Sequence, residues 1–580
     1  MLGGLPYILA PRGYRVAESP RSQPRTRLSD PAADRGDHWG MWSQSDFLGM
    51  GRKDWLGDGP FLDGYGLDLS TEGQISVAKQ LAQTQSDTNN AGGYVPLVDG
   101  TTRLWMMGKT NGTAYYSADL STWTSAADQP AASALPTSSG ALKGVPYVAC
   151  SNGALYSLSG TTWTEKTTKP LSTAAYILGS FKGKLWVGYA NALYYYDGSA
   201  WSTTQFSGTV DGTPIVGAVG NSVLYFVTAG PNARVYMTDG NQLHHVASYP
   251  SDFLPKAAVF LETLYLFGHA TDDSSTTGQV WRLEESGMVP IFEYQDSSAD
   301  FGIRSAVLDS DRILWGANRK SGIGVFDPSL DIYDDAQMGF YVGPALDTVT
   351  GAIHGIAQFN NTLVCGVESL GIYKEDTPGR FKIRSSRYDA DSKNINKLWG
   401  FCELKTSELI TGQSVTVKTT KDDSTLDEWG IFNTPLLDST IIQAPSTTID
   451  PDYKNPFLQY ELTGDAAGSD LDIMDISFAN IELPDNPKRV WSLVIVIEGS
   501  YDQPQEMLDE TLSDRNARQM LSDLVGLWNK KTTFEDVDGT TYNVIFKLPR
   551  ASMEDIVKVV ADDGTLDDAV ITYACNLIEL

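Results

Sequence analysis

An apolar strand carrying a leucine followed by an aromatic residue returns along this chain at Leu104-Trp105, Leu185-Trp186, Leu224-Tyr225, Leu264-Tyr265 and Leu314-Trp315. Tyr147-Val148 and Leu363-Val364 fill the same role. Counted from the first apolar residue, and from Val148 in the second copy, the steps are 44, 37, 39, 40, 50 and 49 residues. A four-stranded propeller blade needs about 40–50 residues. The six steps therefore predict a β-propeller of about seven blades.

Each copy repeats further inside itself. Tyr-rich strands follow at Ala114-Tyr115-Tyr116, Ala154-Leu155-Tyr156, Leu193-Tyr194-Tyr195-Tyr196 and Val235-Tyr236. Tight turns come next, at Asp119-Leu-Ser-Thr-Trp123, Ser159-Gly-Thr-Thr-Trp163, Asp197-Gly-Ser-Ala-Trp201 and Asp239-Gly240. Asp-Gly suits a hairpin because both central residues tolerate positive φ. The tryptophan after the turn is a large apolar plug, so Trp123, Trp163 and Trp201 are expected at equivalent places between blades. These turns resemble the Asp-box turns of sialidase-type propellers, a likeness in a fold device and not in an active site.

A ring must close. Gln74 to Lys79 and Arg380 to Ile383 are short alternating strands at its two ends, and one of them is expected to complete a blade from the other end so that no edge stays open. Strand-like runs at Lys397 to Leu404, Ser414 to Lys418, Phe457 to Leu462, Ile473 to Leu483 and Trp491 to Ile497 predict a jelly-roll-like β-sandwich. Near the end, Ala517, Met520, Leu521, Leu524 and Trp528 share one helical face, with Ser513 as N-cap and Asp514 in the first turn. Strands after it make a small α+β domain. The division is thus 1–74, an extended arm and Trp/Gly-rich wrap; 75–390, the propeller; 391–500, the sandwich; and 501–580, the α+β domain.

With 72 acidic against 43 basic residues, the net charge is −29. Such a surface repels nucleic-acid phosphates and anionic membranes, so neither is expected as a partner. The acidity reads as solubility or as a high-salt habitat. Residues 1–29 run the other way, with Arg12, Arg15, Arg21, Arg25 and Arg27 against Glu18 alone. They read as a strap docking on a neighbouring subunit or as a loose terminus. The four cysteines, Cys150, Cys365, Cys402 and Cys575, lie far apart in apolar runs without metal-ligand spacing, so buried free thiols are expected. The opening MLGGLPYILAPRG is too short and interrupted for a membrane span and lacks the charged start of a secretory signal.

Catalytic patterns are scarce. The five histidines, His38, His244, His245, His269 and His354, sit in no HExxH and near no Gly-x-Ser-x-Gly elbow. Neighbours in a strand point to opposite faces, which argues against a shared ion on His244 and His245. The carboxylate pairs Asp334-Asp335, Asp422-Asp423 and Asp562-Asp563 read as solvated turns in so acidic a chain. Asp389, Asp391 and Asn394 place oxygen ligands at a spacing that suits Ca²⁺, without the glycine and distal glutamate of a full loop, against a plain interdomain linker. Arg304, Arg312 and Arg319 would matter to a sialidase only if they converged, which spacing cannot show. The expectation is a non-enzyme with no cofactor.

Three stretches together resemble minor tail proteins of tailed bacteriophages. One is Arg35-Gly-Asp-His-Trp-Gly-Met-Trp-Ser-Gln-Ser-Asp-Phe47 with Gly49, Gly51, Gly66-Leu-Asp-Leu and Glu72-Gly-Gln-Ile75. The second is a propeller followed by a sandwich. The third is Leu524-Val-Gly-Leu-Trp528, Phe534 to Tyr542 and Cys575-Asn-Leu-Ile-Glu-Leu580. The resemblance implies a structural protein of the distal tail or tail tip, assembled in the host cytoplasm. Its partners would be other virion tail proteins and further copies of itself in a symmetric oligomer. The arm arginines, Leu521, Leu524 and Trp528 would be interface residues. A receptor-binding tail protein that recognises a host-surface glycan is the second reading, and a sialidase-like glycan-degrading enzyme the third.

Overall fold

The structure is a computed structural model. It describes residues 8–11, 39–44 and 47–50, most of 61–386 and of 396–483, and then 490–497, 504–506, 512–527, 530–535, 541–547 and 571–579.

Seven antiparallel units follow one another between residues 79 and 378. Their first strands are Tyr94–Asp99, Pro136–Leu142, Tyr176–Phe181, Thr213–Gly220, Phe253–Leu261, Ile303–Asp309 and Ile353–Phe359. Each packs beside the first strand of the next unit, and the seventh packs beside the first, so these strands line a closed ring. Second strands carry the repeated leucine–aromatic pair. Adjacent residues in a strand face opposite ways, and here both directions are covered. Leu104 packs toward blade 7 and Trp105 toward blade 2. Leu185 packs toward blade 2 and Trp186 toward blade 4. Leu224 and Leu264 likewise face the preceding blade, Tyr265 the following one. That double burial is why the strands are apolar throughout rather than alternating. Burying one leucine of this kind is worth about 1.5–3 kcal/mol.

Glycines at the ends of second strands let neighbouring blades approach. A Cβ at Gly188 would stand 2.4 Å from Pro214 O, one at Gly316 2.6 Å from Ile353 O, and one at Gly366 2.3 Å from the Tyr94 ring. The last contact is the joint between blades 7 and 1.

Closure differs from the expectation. Lys79–Ser86, not Gln74 to Lys79 or Arg380 to Ile383, supplies the outer strand of blade 7, antiparallel to Gly371–Pro378. It also pairs in parallel with blade 6 through Ala345–Gln80 and Leu346–Leu81. Ile75–Val77 pairs instead with Leu67–Asp68 and with Asp472–Leu483, and Arg380–Ser385 with Phe61–Tyr65 and Tyr460–Asp465. Hydrogen-bonded neighbours outside the ring have captured both segments.

Two further sheets follow the ring. One has the order Thr440–Gln443, Asn396–Thr406, Asp472–Leu483, Ile75–Val77, Leu67–Asp68, with Trp39–Gln44 also on Asp472–Leu483. The other runs Phe61–Tyr65, Arg380–Ser385, Tyr460–Asp465, Ser414–Thr420, Leu426–Phe432. Trp429 and Tyr460 of the second sheet touch Phe478 of the first. Phe61–Tyr65 and Leu67–Asp68, expected in a separate wrap, and Ile75–Val77, expected in the propeller, are therefore strands of these sheets. Their core is continuous with that of blades 5 to 7.

Val490–Ile497, expected in the sandwich, belongs to a third sheet with Ile8–Pro11, Ile571–Glu579, Thr541–Lys547 and Lys531–Glu535. The helix spans Ala517–Leu527. Ser513 is not its N-cap and Asp514 is not in its first turn, because Leu512–Asn516 forms a hairpin with Pro504–Glu506 and delays the helix. Among the described residues no helix is long and apolar enough to cross a membrane.

Candidate functional site

In each blade the first strand runs from one face of the ring to the other. Connections between blades and between second and third strands lie on what we call the loop face. Hairpins between first and second strands, and turns after third strands, lie on the opposite turn face.

The turn face is stitched. Asp119 accepts from the backbone N–H groups of Ser121 and Thr122 at 2.9 and 2.8 Å, Asp197 from Ser199 and Ala200 at 2.7 and 2.8 Å, and Asp239 from Asn241 and Gln242, both at 2.8 Å. These donors hold all three carboxyls below the usual carboxylate range. Asp327 makes the same kind of turn in blade 6, accepting from Ser329 N at 2.9 Å; it carries neither the glycine that follows Asp197 and Asp239 nor the tryptophan that ends the Asp119 turn, so the sequence did not mark it. Lys143 Nζ donates to Asp197 O of the next blade at 3.2 Å, and Lys182 Nζ to Asp239 O at 2.6 Å. Arg312 reaches Tyr341 Oη at 3.4 Å, Asp68 at 3.5 Å and Asp309 at 3.9 Å. It lines a cavity of about 450 Å³ between the ring and the following sheets, together with Asp68, Asp309, Glu375 and Lys79. Burial raises the Glu375 carboxyl, with Asp309 and Asp68 adding and Lys79 opposing.

The loop face is different. First strands of blades 2 to 7 each carry one unpaired, bulged residue near their start: Thr137, Leu178, Ile215, Lys256, Arg304 and Gly355. A bulge re-aims its side chain. In blades 5 and 6 that residue is a cation. Lys109 joins them from the end of the second strand of blade 1, its N–H bonded to Gly93 O at 3.0 Å. Gly93 in turn abuts His354 of blade 7, where an added Cβ would stand 2.4 Å from the His354 Cβ. His269 of blade 5 donates from Nδ1 to Ile303 O, next to Arg304, at 3.3 Å. A carbonyl only accepts, so Nδ1 carries the proton.

Five basic side chains from four consecutive blades, 5, 6, 7 and 1, thus share one mouth. Burial, then Arg304, lowers Lys109. Burial, then Arg304 and Lys109, brings Lys256 down to about 8. Burial is also the main cause for His269, at about 4, and for His354, at about 3, with the neighbouring cations adding in both. Both rings are neutral at neutral pH. His354 Nε2 lies 3.4 Å from Glu368 Oε2 without forming a hydrogen bond, so this is a carboxylate beside a neutral ring rather than an ion pair.

The sequence reading named Arg304, His269 and His354 without a common place, and did not single out Lys109 or Lys256. The signal for Lys256 was a basic residue at the bulge position it shares with Arg304 in the next first strand; Lys109, after a second strand, carries no such signal. Arg304 and Arg312 stand at opposite ends of one hairpin and do not converge, and Arg319 lies outside the described residues. Trp123 packs between blades 7 and 1, Trp163 between 1 and 2 and Trp201 between 2 and 3, each toward its preceding blade. Trp123 Nε1 also donates to Thr84 Oγ1 of the closing strand at 3.1 Å. His244 and His245 are exposed beside a shallow groove on blade 4 with Phe206 and Arg234. Among the described residues no group of three or more His, Cys, Asp or Glu could hold a metal. Cys150, Cys365 and Cys402 are buried and free, and burial pushes the Cys150 thiol up to about 12. Leu524 is fully buried. Arg12, Arg15, Arg21, Arg25, Arg27, Trp528, Asp389, Asp391, Asn394 and the three carboxylate pairs lie outside the described residues, as do the side chains of Leu521 and Cys575.

No protein-family model matches the chain, and no curated protein matches it. Solved structures resemble about half of it. Inactive H270A virginiamycin B lyase of Staphylococcus aureus, solved with quinupristin, is 14% identical over 50% of this chain and 97% of its own, with a TM-score of 0.39. YCF48 of Cyanidioschyzon merolae is 11% identical over 51% and 98%, at 0.38, and the computationally designed protein Ika8 12% identical over 51% and 99%, at 0.34. At these TM-scores the likeness carries no argument; the strand pairing itself shows a mainly β chain with a propeller-like ring of antiparallel units, many of them four-stranded.

Proposed function

We propose that the chain is a structural component of a tailed-phage virion, at the distal tail or tail tip, and that it works by assembly with other tail proteins and with copies of itself. In this reading the two facing sheets are a jelly-roll-like β-sandwich and the third sheet with its helix is a small α+β assembly domain. The observation that carries the reading is the path of the N-terminal segment. Ile8–Pro11 pairs in the third sheet, Trp39–Gln44 and Phe61–Val77 lie in the facing sheets, and Lys79–Ser86 closes the ring. Strands of the N-terminal segment thus pair in all three sheets and in the ring, which suits a particle component whose parts must stay together. Phage deleted for this chain are expected to yield tails that lack the distal density and fail to complete. Normal, infectious particles would refute the role.

The receptor-binding reading draws on the open cationic mouth of the loop face. The sialidase-like reading loses its arginine cluster, since Arg304 and Arg312 are on opposite faces. Incubating the purified chain with host envelope glycans separates the three: cleavage marks an enzyme, retention without cleavage a receptor-binding protein, and neither outcome a scaffold.

A further inference from the structure

We propose that Lys109, Lys256 and Arg304, with His269 and His354 beside them, form a binding site for a small oxyanion, a carboxylate or a phosphate group. The proposal stands apart from the assembly role. Among the described residues, none of the three cationic side chains has a hydrogen bond or an ion pair, and Arg304 Nε is buried without an acceptor. Like charges gathered in a partly buried place repel, and each loses hydration without a counter-ion. The chain has 72 acidic residues from which a partner could have come. Among the described residues, the carboxylate in ion-pair range of one of the five basic groups is Glu368, and it lies beside His354 rather than a cation.

The placement is built into the fold. Lys256 and Arg304 are bulge residues at the start of adjacent first strands, so their aim follows from backbone that the ring fixes. His269 is hydrogen-bonded to the strand that bears Arg304, and Lys109 to the loop that abuts His354. The size of the ligand follows from the field. At a net −29 the molecule repels a polyanion in proportion to its many charges, whereas a small anion sets only one or two charges against that field and meets three cations at short range. A guanidinium with a free Nε and two ammonium groups offers the directed donors that an oxyanion accepts.

The test is isothermal titration calorimetry of the full chain at low salt with inorganic phosphate, with glucuronate and with glucose. We expect saturable binding of phosphate, glucuronate or both, and none of glucose; which anion binds tells whether the source is a free phosphate or the carboxylate of an acidic sugar. Arg304→Gln and Lys256→Met should each weaken binding at least tenfold, and Arg304→Lys should hold it within about fivefold. Removing a repelled cation should not lower the melting temperature, so loss of binding in a folded variant is readable. The wild-type melting temperature, which needs no variant, should rise with the bound anion and not with equal chloride. The absence of saturable binding and of any anion-specific rise, or binding unchanged in both variants, overturns the proposal.

Discussion

The two faces of the ring use their cations in opposite ways. On the turn face Lys143 and Lys182 each donate to a backbone carbonyl of the next blade, and Arg312 lies among Tyr341, Asp68 and Asp309. On the loop face Lys109, Lys256 and Arg304 have neighbours of their own sign. A cation with an oxygen partner holds the fold together. A cluster without one among the described residues costs stability, and on our proposal it is kept for an anion from outside the chain. The contrast separates structure from function where residue type alone cannot, since both faces present the same two kinds of side chain.

The largest expected effects test whether the faces are built on different constraints. Gly366, at the loop-face end of its strand, has no room: its added methyl would meet the fully buried Tyr94, whose hydroxyl donates to Asp87 at 2.9 Å. Gly366→Ala should cost about 3 kcal/mol by overpacking the closing joint. Gly144, in a turn-face hairpin at φ +80, has open space around it. Gly144→Ala should cost only about 1 kcal/mol, from backbone conformation. Equal costs in denaturant melts would remove the distinction.

Next come the two arginines of one hairpin. Arg312→Ala should destabilise by about 2 kcal/mol, because it strips partners from the buried Tyr341 and from Asp309. Arg304→Ala should change stability by less than about 0.5 kcal/mol, or raise it, since no partner is lost and a repulsion is relieved. A larger loss at Arg304 than at Arg312 would mean that the loop-face cluster is structural.

The same contrast explains what could be read from the residues. The ring was legible because every blade must bury both faces of its second strand, which writes an apolar pair at blade length into each repeat, leucine–aromatic in five of the seven. Tryptophans after the turns were legible for the same reason. The closing strand was not, because Lys79–Ser86 is polar: its sequence, KQLAQTQS, buries little beyond Leu81 and Ala82, and backbone pairing does the rest. The fate of Ile75–Val77 and of Val490–Ile497 was hidden because partner choice among apolar strands lies in register across hundreds of residues. The site was hidden because its members come from four blades, brought together by bulges at Lys256 and Arg304 and by contacts between blades at Lys109, His269 and His354.

Acid should act on the two faces in different windows. His269 and His354 are held at about 4 and 3 when folded, against an ordinary 6.5, so between those values the unfolded chain binds protons that the folded chain refuses. The share of stability that depends on these two histidines is complete above pH 6.5 and declines as pH falls below it. The turn-face carboxyls Asp119, Asp197 and Asp239 are depressed, so their share is present above the ordinary value of 3.8 and is lost only below it. His354→Asn should flatten the melting-temperature slope between pH 6.5 and 4.5 and leave the steeper fall below pH 4. If the slope in the upper window is unchanged, the histidines are not the groups that titrate.

The smallest effect lies on the alkaline side. Lys256 loses its proton at about 8 in the folded chain and at its ordinary 10.5 when unfolded. Between these values the unfolded chain holds a proton that the folded chain has shed, so this residue makes stability rise with pH across that window. Below pH 8 both states are protonated and the penalty of the crowded cations is fully present. Lys109, lowered by the same two causes, acts with the same sign. Lys256→Met should therefore melt higher than the wild type at pH 7 and lose part of the rise above pH 8, and a second change, Lys109→Met, should remove more of it. An oxyanion bound among Lys256, Lys109 and Arg304 favours the protonated amines, so saturating phosphate should raise the melting temperature most at pH 7 and progressively less toward pH 10. A phosphate effect of equal size at both ends would mean that the anion acts elsewhere on the surface and that these lysines are repelled for no ligand's sake.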